Sequence, residues 1–247
     1  RHHPMLVSAK DKLWSFGGFI VSSDGQWTNT DTVLQLNTSG GGWRKQNPMP
    51  VKLSESVSAV INGHIHITGG RQPAAGKNGE WNDNADSDWH GVFQPDSGAW
   101  LTEPPLPTPR NSACSVVVGD NWHVIGGRTV KGGNVPNHDI YQNKKREWRT
   151  ASPMPEAQAG LTCAYFDGAI FVFGGEYFDN GGGVYHKVWR YEIKRDRWTE
   201  VSVMPMPRHG LGSVVKDTAI WLIGGAEEAG ARKTSKVVSK FTTGRQD

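Results

Sequence analysis

The sequence has few cysteines, no long apolar run and no concentration of charge of one sign. Two cysteines, Cys114 and Cys163, are too few for a disulfide scaffold, and we expect both to be buried, reduced thiols. No apolar stretch approaches the roughly 20 residues that cross a bilayer, and no signal peptide is visible. The net charge of +3 is spread along the chain and forms no basic stripe. These absences argue against a nucleic-acid or membrane partner and leave the compartment open.

Glycine and tryptophan, in contrast, are abundant, with 31 and 11 residues, a composition typical of an all-β protein with many turns. The glycines form a repeat, because paired glycines end five apolar runs. The pairs are Gly17-Gly18, Gly69-Gly70, Gly126-Gly127, Gly174-Gly175 and Gly224-Gly225. A period of about 50 residues indicates a repeat architecture whose units must stack to bury their faces.

Fixed spacings set the register of this repeat. Sixteen residues before the Gly-Gly pairs stand Arg1, Leu53, Arg110, Gln158 and Arg208. Ten residues before the last four of these stand Trp43, Trp100, Trp148 and Trp198, and seven before each tryptophan stand Leu36, Phe93, Tyr141 and Tyr191. From Gly-Gly to that residue the distances are 19, 24, 15 and 17 residues. One connection per repeat therefore varies in length, and the rest is rigid.

Each rigid part reads as four short strands. In the third repeat the runs 112–118, 122–125, 139–142 and 148–151 are apolar or alternating, with Gly119-Asp120 as a turn and Pro153 as a stop. Four antiparallel strands in about 50 residues make one propeller blade. We predict one all-β propeller domain over 1–247, with repeats at about 1–52, 53–109, 110–157, 158–207 and 208–247.

The last blade is expected to lack its fourth strand. The matching tryptophan would stand seven residues after Phe241, one position past Asp247. Either the propeller has five blades with a three-stranded last one, or it derives from a six-bladed parent. An unpaired edge beside residues 236–241 invites pairing with another chain, so self-association is expected.

The Gly-Gly pair, the aromatic seven residues before Trp, the Trp and the Met-Pro turn together resemble the kelch repeat, over nearly the whole chain. Phrases such as Phe173-Gly174-Gly175-Glu176 and Asp196-Arg197-Trp198 resemble bacterial kelch proteins labelled galactose-oxidase-like, relatives of a sialic-acid mutarotase. The resemblance implies a β-propeller in a bacterial cytoplasm or periplasm. It implies no particular activity, since propellers host many functions.

In a four-stranded blade, the connection after Gly-Gly lies on the same face as the start of the next inner strand. Binding is usually placed on such variable loops, and in kelch proteins this face is the usual contact surface. The candidate ligand-binding residues on it are Arg1, His2, Arg71, Trp81, Arg110, Asn111, Arg128, Gln158, Glu176, Arg208 and His209. Guanidinium groups suit a carboxylate or phosphate, and the alternative is that these arginines tie neighbouring loops together.

The longest connection, 71–91, carries weak metal signals, and we predict no metal site. Alternating Asn82, Asn84, Asp86 and Asp88 resemble a calcium loop but lack its glycine and terminal Glu. Asn82, Asp86 and His90 have the spacing of the iron ligands of plant specifier proteins, with Asn82 in place of Glu. The two-tyrosine, two-histidine copper site of galactose oxidase cannot be assembled on one face.

Three functions remain open. The first is a propeller that binds an acidic peptide, an acidic small molecule, a sugar or another protein at the loop-rich face, without a cofactor. The second is a mutarotase or epimerase of an acidic sugar, for which Glu176 and His209, or His2, are the candidate acid and base. The third is a purely structural interaction domain. His66 and His123, three residues before Gly-Gly, are expected to fill the blades.

Overall fold

The computed structural model describes residues 1–37, 40–79, 81–230 and 232–244, apart from the side chain of Trp81. The first repeat comprises β1 (Met5–Ala9), β2 (Lys12–Phe16), β3 (Phe19–Val21), β4 (Trp27–Asn29), β5 (Val33–Asn37) and β6 (Gly42–Gln46). The second comprises β7 (Val57–Ile61), β8 (His64–Thr68), β9 (Arg71–Pro73), β10 (Asn84–Asp86), β11 (His90–Gln94) and β12 (Ala99–Thr102). The third comprises β13 (Cys114–Val118), β14 (Asn121–Ile125), β15 (Arg128–Thr129), β16 (Gly133–Asn134), β17 (His138–Gln142) and β18 (Glu147–Thr150).

The fourth and fifth repeats continue this pattern. The fourth comprises β19 (Thr162–Phe166), β20 (Ala169–Phe173), β21 (Glu176–Tyr177), β22 (Gly183–Val184), β23 (Lys187–Glu192) and β24 (Arg197–Val203). The fifth comprises β25 (Gly212–Lys216), β26 (Ala219–Ile223), β27 (Ala226–Glu228), β28 (Arg232–Thr234) and β29 (Val238–Phe241). Short 3-10 helices occupy Trp81–Asp83, Asp179–Gly181 and Ile193–Arg195.

The strands form five blade sheets. Their orders are β1-β2-β5-β6, β7-β8-β11-β12, β13-β14-β17-β18, β19-β20-β23-β24 and β25-β26-β29. The remaining ten strands pair into five two-stranded ribbons, one after each Gly-Gly pair. The prediction of an all-β propeller with five blade repeats and a three-stranded last blade is therefore confirmed. The single-domain bounds 1–247 stay a prediction.

Hydrophobic patterning explains why these segments are strands. β7 alternates buried and half-buried residues, which is the two-residue period of a sheet with unequal faces, whereas every residue of β20 is buried. The glycines that end the second strands are required by space. At Gly174, with φ +65°, an added Cβ would lie 2.0 Å from the Arg208 carbonyl oxygen, so no side chain fits there.

The Gly-Gly pairs also join each repeat to the next. The amide of the second glycine donates to the carbonyl of the residue four positions before the next inner strand, which we call the inner-strand start, for example Gly18 to Leu53 at 2.8 Å and Gly175 to Arg208 at 3.1 Å. These bonds place the variable connection of one repeat beside the start of the next repeat, while a single rim common to all repeats stays a prediction.

By compactness the chain divides into two units. The first unit contains Arg1–Ser112, Thr129–Gly132 and Tyr141–Trp148, and the second contains Ala113–Arg128, Gly133–Ile140 and Arg149–Asp247. The core of the first unit packs Trp14 and Phe16 against Ile67 and Phe93. The second unit has two clusters, one around Tyr191 and Trp198 and one that joins the fourth and fifth sheets.

The expectation of reduced thiols is wrong, because Cys114 and Cys163 form a disulfide inside the second unit. Both residues are buried, as expected from their inner strands. The inner strands β13 and β19 lie side by side, and the two Cα atoms are 5.8 Å apart, within the range that a disulfide spans. Their pairing follows from the packing of neighbouring blades.

Within the described residues, no helix is both long enough and apolar enough to cross a membrane.

Candidate functional site

Within each unit, the ribbons and the residues that bridge to them form a surface that we call the rim of that unit. In four repeats the residue after the inner-strand start bridges the residue after Gly-Gly. The bridged pairs are His2 with Phe19, Ser54 with Arg71, Ala159 with Glu176, and His209 with Ala226. The residues at these two sequence positions are therefore neighbours, and each unit has a buried glutamate in or next to such a pair, Glu55 in the first unit and Glu176 in the second.

In the first unit the carboxylate belongs to Glu55. Its Oε2 accepts from Arg71 Nε at 2.7 Å and from the Ser112 hydroxyl at 3.1 Å, and its Oε1 lies 3.6 Å from His3 Nδ1. The Glu55 and Arg71 side chains are each only 3% exposed. Arg71 is thus held inward by a buried partner rather than presented to solvent.

In the second unit the carboxylate belongs to Glu176. Oε1 accepts from Arg128 Nη1 at 2.9 Å, while Oε2 accepts from the Gly230 amide at 2.7 Å and lies 3.4 Å from His209 Nδ1. His209 Nε2 lies 2.9 Å from the Glu228 carbonyl oxygen and 2.8 Å from that of Gly230. Both carboxylate oxygens and both imidazole nitrogens therefore have protein neighbours.

Like His209, whose side chain is 12% exposed, Arg128 is partly open to solvent. Its side chain is 14% exposed, and its guanidinium carbon lies 5.5 Å from the centroid of the Phe178 ring, which is 59% exposed. Its Nε is buried and makes no hydrogen bond within the described part of the chain. Because that nitrogen is enclosed by protein atoms, only the exposed part of the guanidinium, fixed by Glu176 beside the Phe178 ring, can meet a further acceptor.

The arginines that start inner strands are placed differently. Arg208 is fully buried, and its Nη1 donates to the carbonyls of Gly224 and Val237, both at 2.7 Å, while Nη2 donates to the Ser239 hydroxyl. Arg110 is also buried, and its Nη1 donates to the Thr108 carbonyl at 2.9 Å. For Arg208 these bonds favour the alternative that the arginine ties neighbouring loops together. Arg1, at the same repeat position, is exposed.

Gln158 occupies the repeat position of Arg208 in the fourth blade. It is fully buried, and neither its Nε2 nor its Oε1 has a hydrogen-bond partner among the described residues. Because the glutamine side chain is shorter than that of arginine, it does not reproduce the carbonyl clamp. Such an unsatisfied buried amide costs stability.

The other candidates are dispersed. Asn111 is buried and donates to Asp86 at 2.6 Å, and His2 packs its ring 4.1 Å from that of Trp27. Trp81 begins a 3-10 helix, and its side chain lies outside the described part of the structure. The prediction that these residues and the arginines line one mouth concerns both units and stays a prediction.

Two histidine pairs fill the second and third blades. His66 Nδ1 lies 3.0 Å from His90 Nε2, and His123 Nδ1 lies 2.9 Å from His138 Nε2. Burial lowers the pKa of His66 and His123 to about 4 and the pKa of His90 and His138 to about 3. The expectation that His66 and His123 fill the blades is confirmed. No group of three or more His, Cys, Asp or Glu side chains among the described residues is arranged to hold a metal ion.

Sequence reasoning missed the carboxylate partners Glu55 and Asp86. Glu55 stands two residues after an inner-strand start, where the other repeats have His3, Ser112, Gly160 and Gly210. The sequence did indicate Glu55 in one way, because it is the single acidic residue at this repeat position. Asn134, which donates to the Glu176 carbonyl at 2.7 Å, lies in a variable ribbon and carried no signal.

Comparison with known proteins identifies this architecture. The family model described as the KLHDC2/KLHL20/DRC7 Kelch-repeats domain matches residues 75–243. Similar proteins include the Kelch-like protein terF of Aspergillus terreus, 27% identical over 72% of this chain and 39% of its own length. Beta-scruin of Limulus polyphemus is 26% identical over 62% of this chain and 16% of its own length. The chain thus spans well under half of these curated relatives.

A solved structure, that of YjhT, covers 100% of this chain and 82% of its own, with a TM-score of 0.86 and 18% sequence identity. At that identity the likeness establishes the propeller fold alone. The Kelch repeat protein C2 of vaccinia virus, 28% identical over 66% of this chain and 29% of its own length, extends the same fold to a viral protein.

Proposed function

We propose that this chain, which belongs to the kelch-repeat family, binds an acidic peptide or an acidic carbohydrate through its rim. Kelch propellers generally serve as interaction modules, and the finer assignment rests on the second unit. The observation that carries it is the Arg128 guanidinium, fixed by Glu176 at 2.9 Å and partly exposed beside the Phe178 ring.

A carboxylate ligand suits this arrangement for two reasons. Charge-assisted hydrogen bonds to a preorganised guanidinium are stronger than neutral ones and cost little ordering of the side chain. The exposed ring of Phe178, beside the guanidinium, offers an apolar surface on which a sugar ring or a peptide side chain can pack. A ligand with both an acidic group and an apolar face would use both features.

The test compares Arg128→Ala with Arg232→Ala, a matched change of an exposed ribbon arginine on β28. Each protein is titrated calorimetrically with uronic and sialic acids, neutral hexoses, and acidic and neutral peptides. We expect acidic ligands to bind the wild type best and to lose about 1.5–3 kcal/mol of binding in Arg128→Ala only. Preference for neutral ligands, or equal binding by both variants, would sink the proposal.

An enzyme that interconverts the anomers of an acidic sugar is the second candidate, because His209 Nδ1 and Glu176 Oε2 lie 3.4 Å apart. General acid–base chemistry needs such a pair within reach of the substrate. The protein neighbours of His209 Nε2 and both Glu176 oxygens favour binding over catalysis. Polarimetry with freshly dissolved sialic acid decides the matter, since a rate above the buffer rate that Glu176→Gln abolishes would establish the enzyme.

A purely structural interaction domain is the third possibility. It predicts no thermal shift with any small acidic ligand, whereas a binding site predicts a shift that grows with ligand concentration.

A further inference from the structure

The disulfide of the second unit joins the β13–β14 hairpin to the β19–β20 hairpin, close to the ribbon that follows each of them. Cys114 is the first residue of β13 and lies opposite Ile125, the last residue of β14. Cys163 is the second residue of β19 and lies opposite Val172 in β20. The bond therefore fixes the separation of the two hairpins at the end where their ribbons begin.

The same two hairpins lead directly to the ion pair on the rim of the second unit. Arg128 stands three residues after Ile125, and Glu176 stands four residues after Val172. Arg128 Nη1 donates to Glu176 Oε1 at 2.9 Å, so the ion pair crosses from the ribbon of one repeat to that of the next. Little more than a Gly-Gly pair separates each strand opposite a cysteine from its charged residue.

The corresponding positions of the following repeat show that neighbouring inner strands pack without a covalent bond. Counted from the inner-strand start of its own repeat, Cys114 has the position of Thr162, and Cys163 has that of Ser213. The hydroxyl oxygens of Thr162 and Ser213 lie 2.7 Å apart, and Ser213 also donates to the Cys163 carbonyl at 3.1 Å. The disulfide therefore adds a constraint that the packing of the inner strands does not need.

Reduction of the disulfide changes the distance between the two hairpins. Two bonded sulfur atoms lie closer together than non-bonded atoms can, so the thiols must move apart by about 1 Å or more. Both cysteines are buried in one cluster with Ile125 and Val172, and a close-packed cluster passes such a displacement on to its neighbours. Because a preorganised polar site tolerates only about 0.5 Å of misplacement, the Arg128–Glu176 geometry should depend on the bond.

We infer, on the basis of the proposed binding of acidic ligands, that the Cys114–Cys163 disulfide positions Arg128 against Glu176, so that the oxidised protein binds these ligands more tightly than the reduced protein. A dithiol reductant transfers two electrons and two protons to the disulfide. The sulfur–sulfur bond breaks, both cysteines become thiols, and the reductant becomes a disulfide. Affinity is then high in an oxidising compartment and low in a reducing one.

The test compares the Arg128–Glu176 interaction in the oxidised protein and in protein kept reduced by a phosphine. A double-mutant cycle uses Arg128→Ala, Glu176→Gln and the combined variant, with urea unfolding as the readout. We expect the coupling constant between the two side chains to fall by about fivefold or more on reduction. A disulfide that only stabilises the fold would lower the unfolding free energy of all four proteins alike, and unchanged coupling would overturn the inference.

A matched variant keeps the test decisive if the reduced protein unfolds. Cys114→Thr, Cys163→Ser copies the hydrogen-bonded pair of Thr162 and Ser213. In this background the coupling should be about fivefold or more weaker than in the oxidised wild type and should not respond to the phosphine. Coupling as strong as in the oxidised wild type, or a response to the phosphine, would show that the bond is not the cause.

Ligand binding is measured separately, by calorimetric titration with sialic acid and glucuronic acid. The oxidised wild type should bind the preferred acid about fivefold or more tightly than the Cys114→Thr, Cys163→Ser variant does, and equal affinities would overturn the inference. Absence of binding by both proteins, together with the expected loss of coupling, would instead contradict the proposed function and leave the positioning of Arg128 established.

Discussion

The buried carboxylates of Glu55 and Glu176 hold their arginines by different routes. Glu55 follows an inner-strand start and binds Arg71, the residue after Gly-Gly in the same repeat, and both side chains are almost fully enclosed. Glu176 itself follows Gly-Gly and binds Arg128, which follows Gly-Gly in the preceding repeat and stays partly exposed. The two pairs therefore differ in how far the arginine is enclosed, with 3% of the Arg71 side chain and 14% of the Arg128 side chain exposed.

The largest expected effect is a loss of stability in acid, caused by the buried histidine pairs. Both units contain such a pair, so this effect should not distinguish them. Burial lowers the pKa values of His66, His90, His123 and His138 from 6.5 to about 3–4. Their neutral forms therefore contribute stability that is complete above pH 6.5 and is lost as the pH falls toward these values, by up to about 1.4 kcal/mol per histidine and pH unit. Urea unfolding midpoints measured from pH 7.5 to pH 4.5 should decrease steadily below pH 6.5.

The fourth repeat supplies the matched replacement, because Phe171 and Val188 occupy the two histidine positions there. The double variant His66→Phe, His90→Val should flatten the acid dependence of the first unit, and His123→Phe, His138→Val that of the second. An unchanged pH profile in both would rule out the histidine pairs as its source.

Replacing each carboxylate tests directly whether the Glu55–Arg71 and Glu176–Arg128 pairs differ in their contribution to stability. Glu55→Gln leaves the Arg71 charge buried without its anion, which should cost about 3–5 kcal/mol of unfolding free energy. Glu176→Gln should cost less, about 1–3 kcal/mol, because Arg128 can turn toward water. Urea denaturation of both variants at pH 7.5 measures the difference, and equal losses would contradict the distinction between a closed and an open pair.

The disulfide should stabilise the second unit and not the first, because both of its cysteines belong to the second unit. It joins two residues of the second unit across a sequence separation of 49 residues, so its loss should cost about 2–4 kcal/mol of unfolding free energy. Hydrogen exchange of the Cys114→Ser, Cys163→Ser double variant should accelerate in β13 and β19 and remain unchanged in β1 and β7. Thiol reagent that labels the unreduced, denatured chain would show that the bond is absent.

The smallest expected effect is a gain in stability. Gln158→Arg should restore the clamp made by Arg208, with the carbonyls of Gly174 and Lys187 at the positions equivalent to Gly224 and Val237. We expect stabilisation of roughly 1–2 kcal/mol by calorimetric melting. Gln158→Leu, which copies Leu53 of the second repeat, serves as control because it removes the unsatisfied amide without adding a donor. A lower melting temperature for both variants would mean that the amide is satisfied in solution.

The spacing of glycine, tryptophan and the intervening aromatic residue predicted the sheets well. The third repeat was expected to have strands at 122–125 and 139–142 and has them at Asn121–Ile125 and His138–Gln142. These strands could be predicted because large buried side chains recur at the same positions of every repeat. This recurrence is visible in the sequence as a hydrophobic pattern.

The contacts made by polar side chains could not be predicted in the same way. Cys114 stands twelve residues before Gly126 and Cys163 eleven before Gly174, so the repeat alignment offsets two residues that lie together in neighbouring inner strands. Arg128 and Arg208 are the same residue type on the same rim, yet Arg208 turns inward to carbonyl groups. Which way a long side chain turns depends on acceptors supplied by distant segments, and a single sequence does not record their positions.

The ribbons have one further property. The carbonyl of the second glycine accepts, at 2.7–3.0 Å, from the amides of Thr30, Ser87, Val135, Tyr185 and Ser235, one in each repeat. Each of these stands six residues before the aromatic position, so every ribbon is closed at its base and all length variation lies above that bond. Insertions and deletions there leave the sheets untouched, which lets recognition diverge during evolution, or be transplanted between repeats, while the scaffold is inherited unchanged.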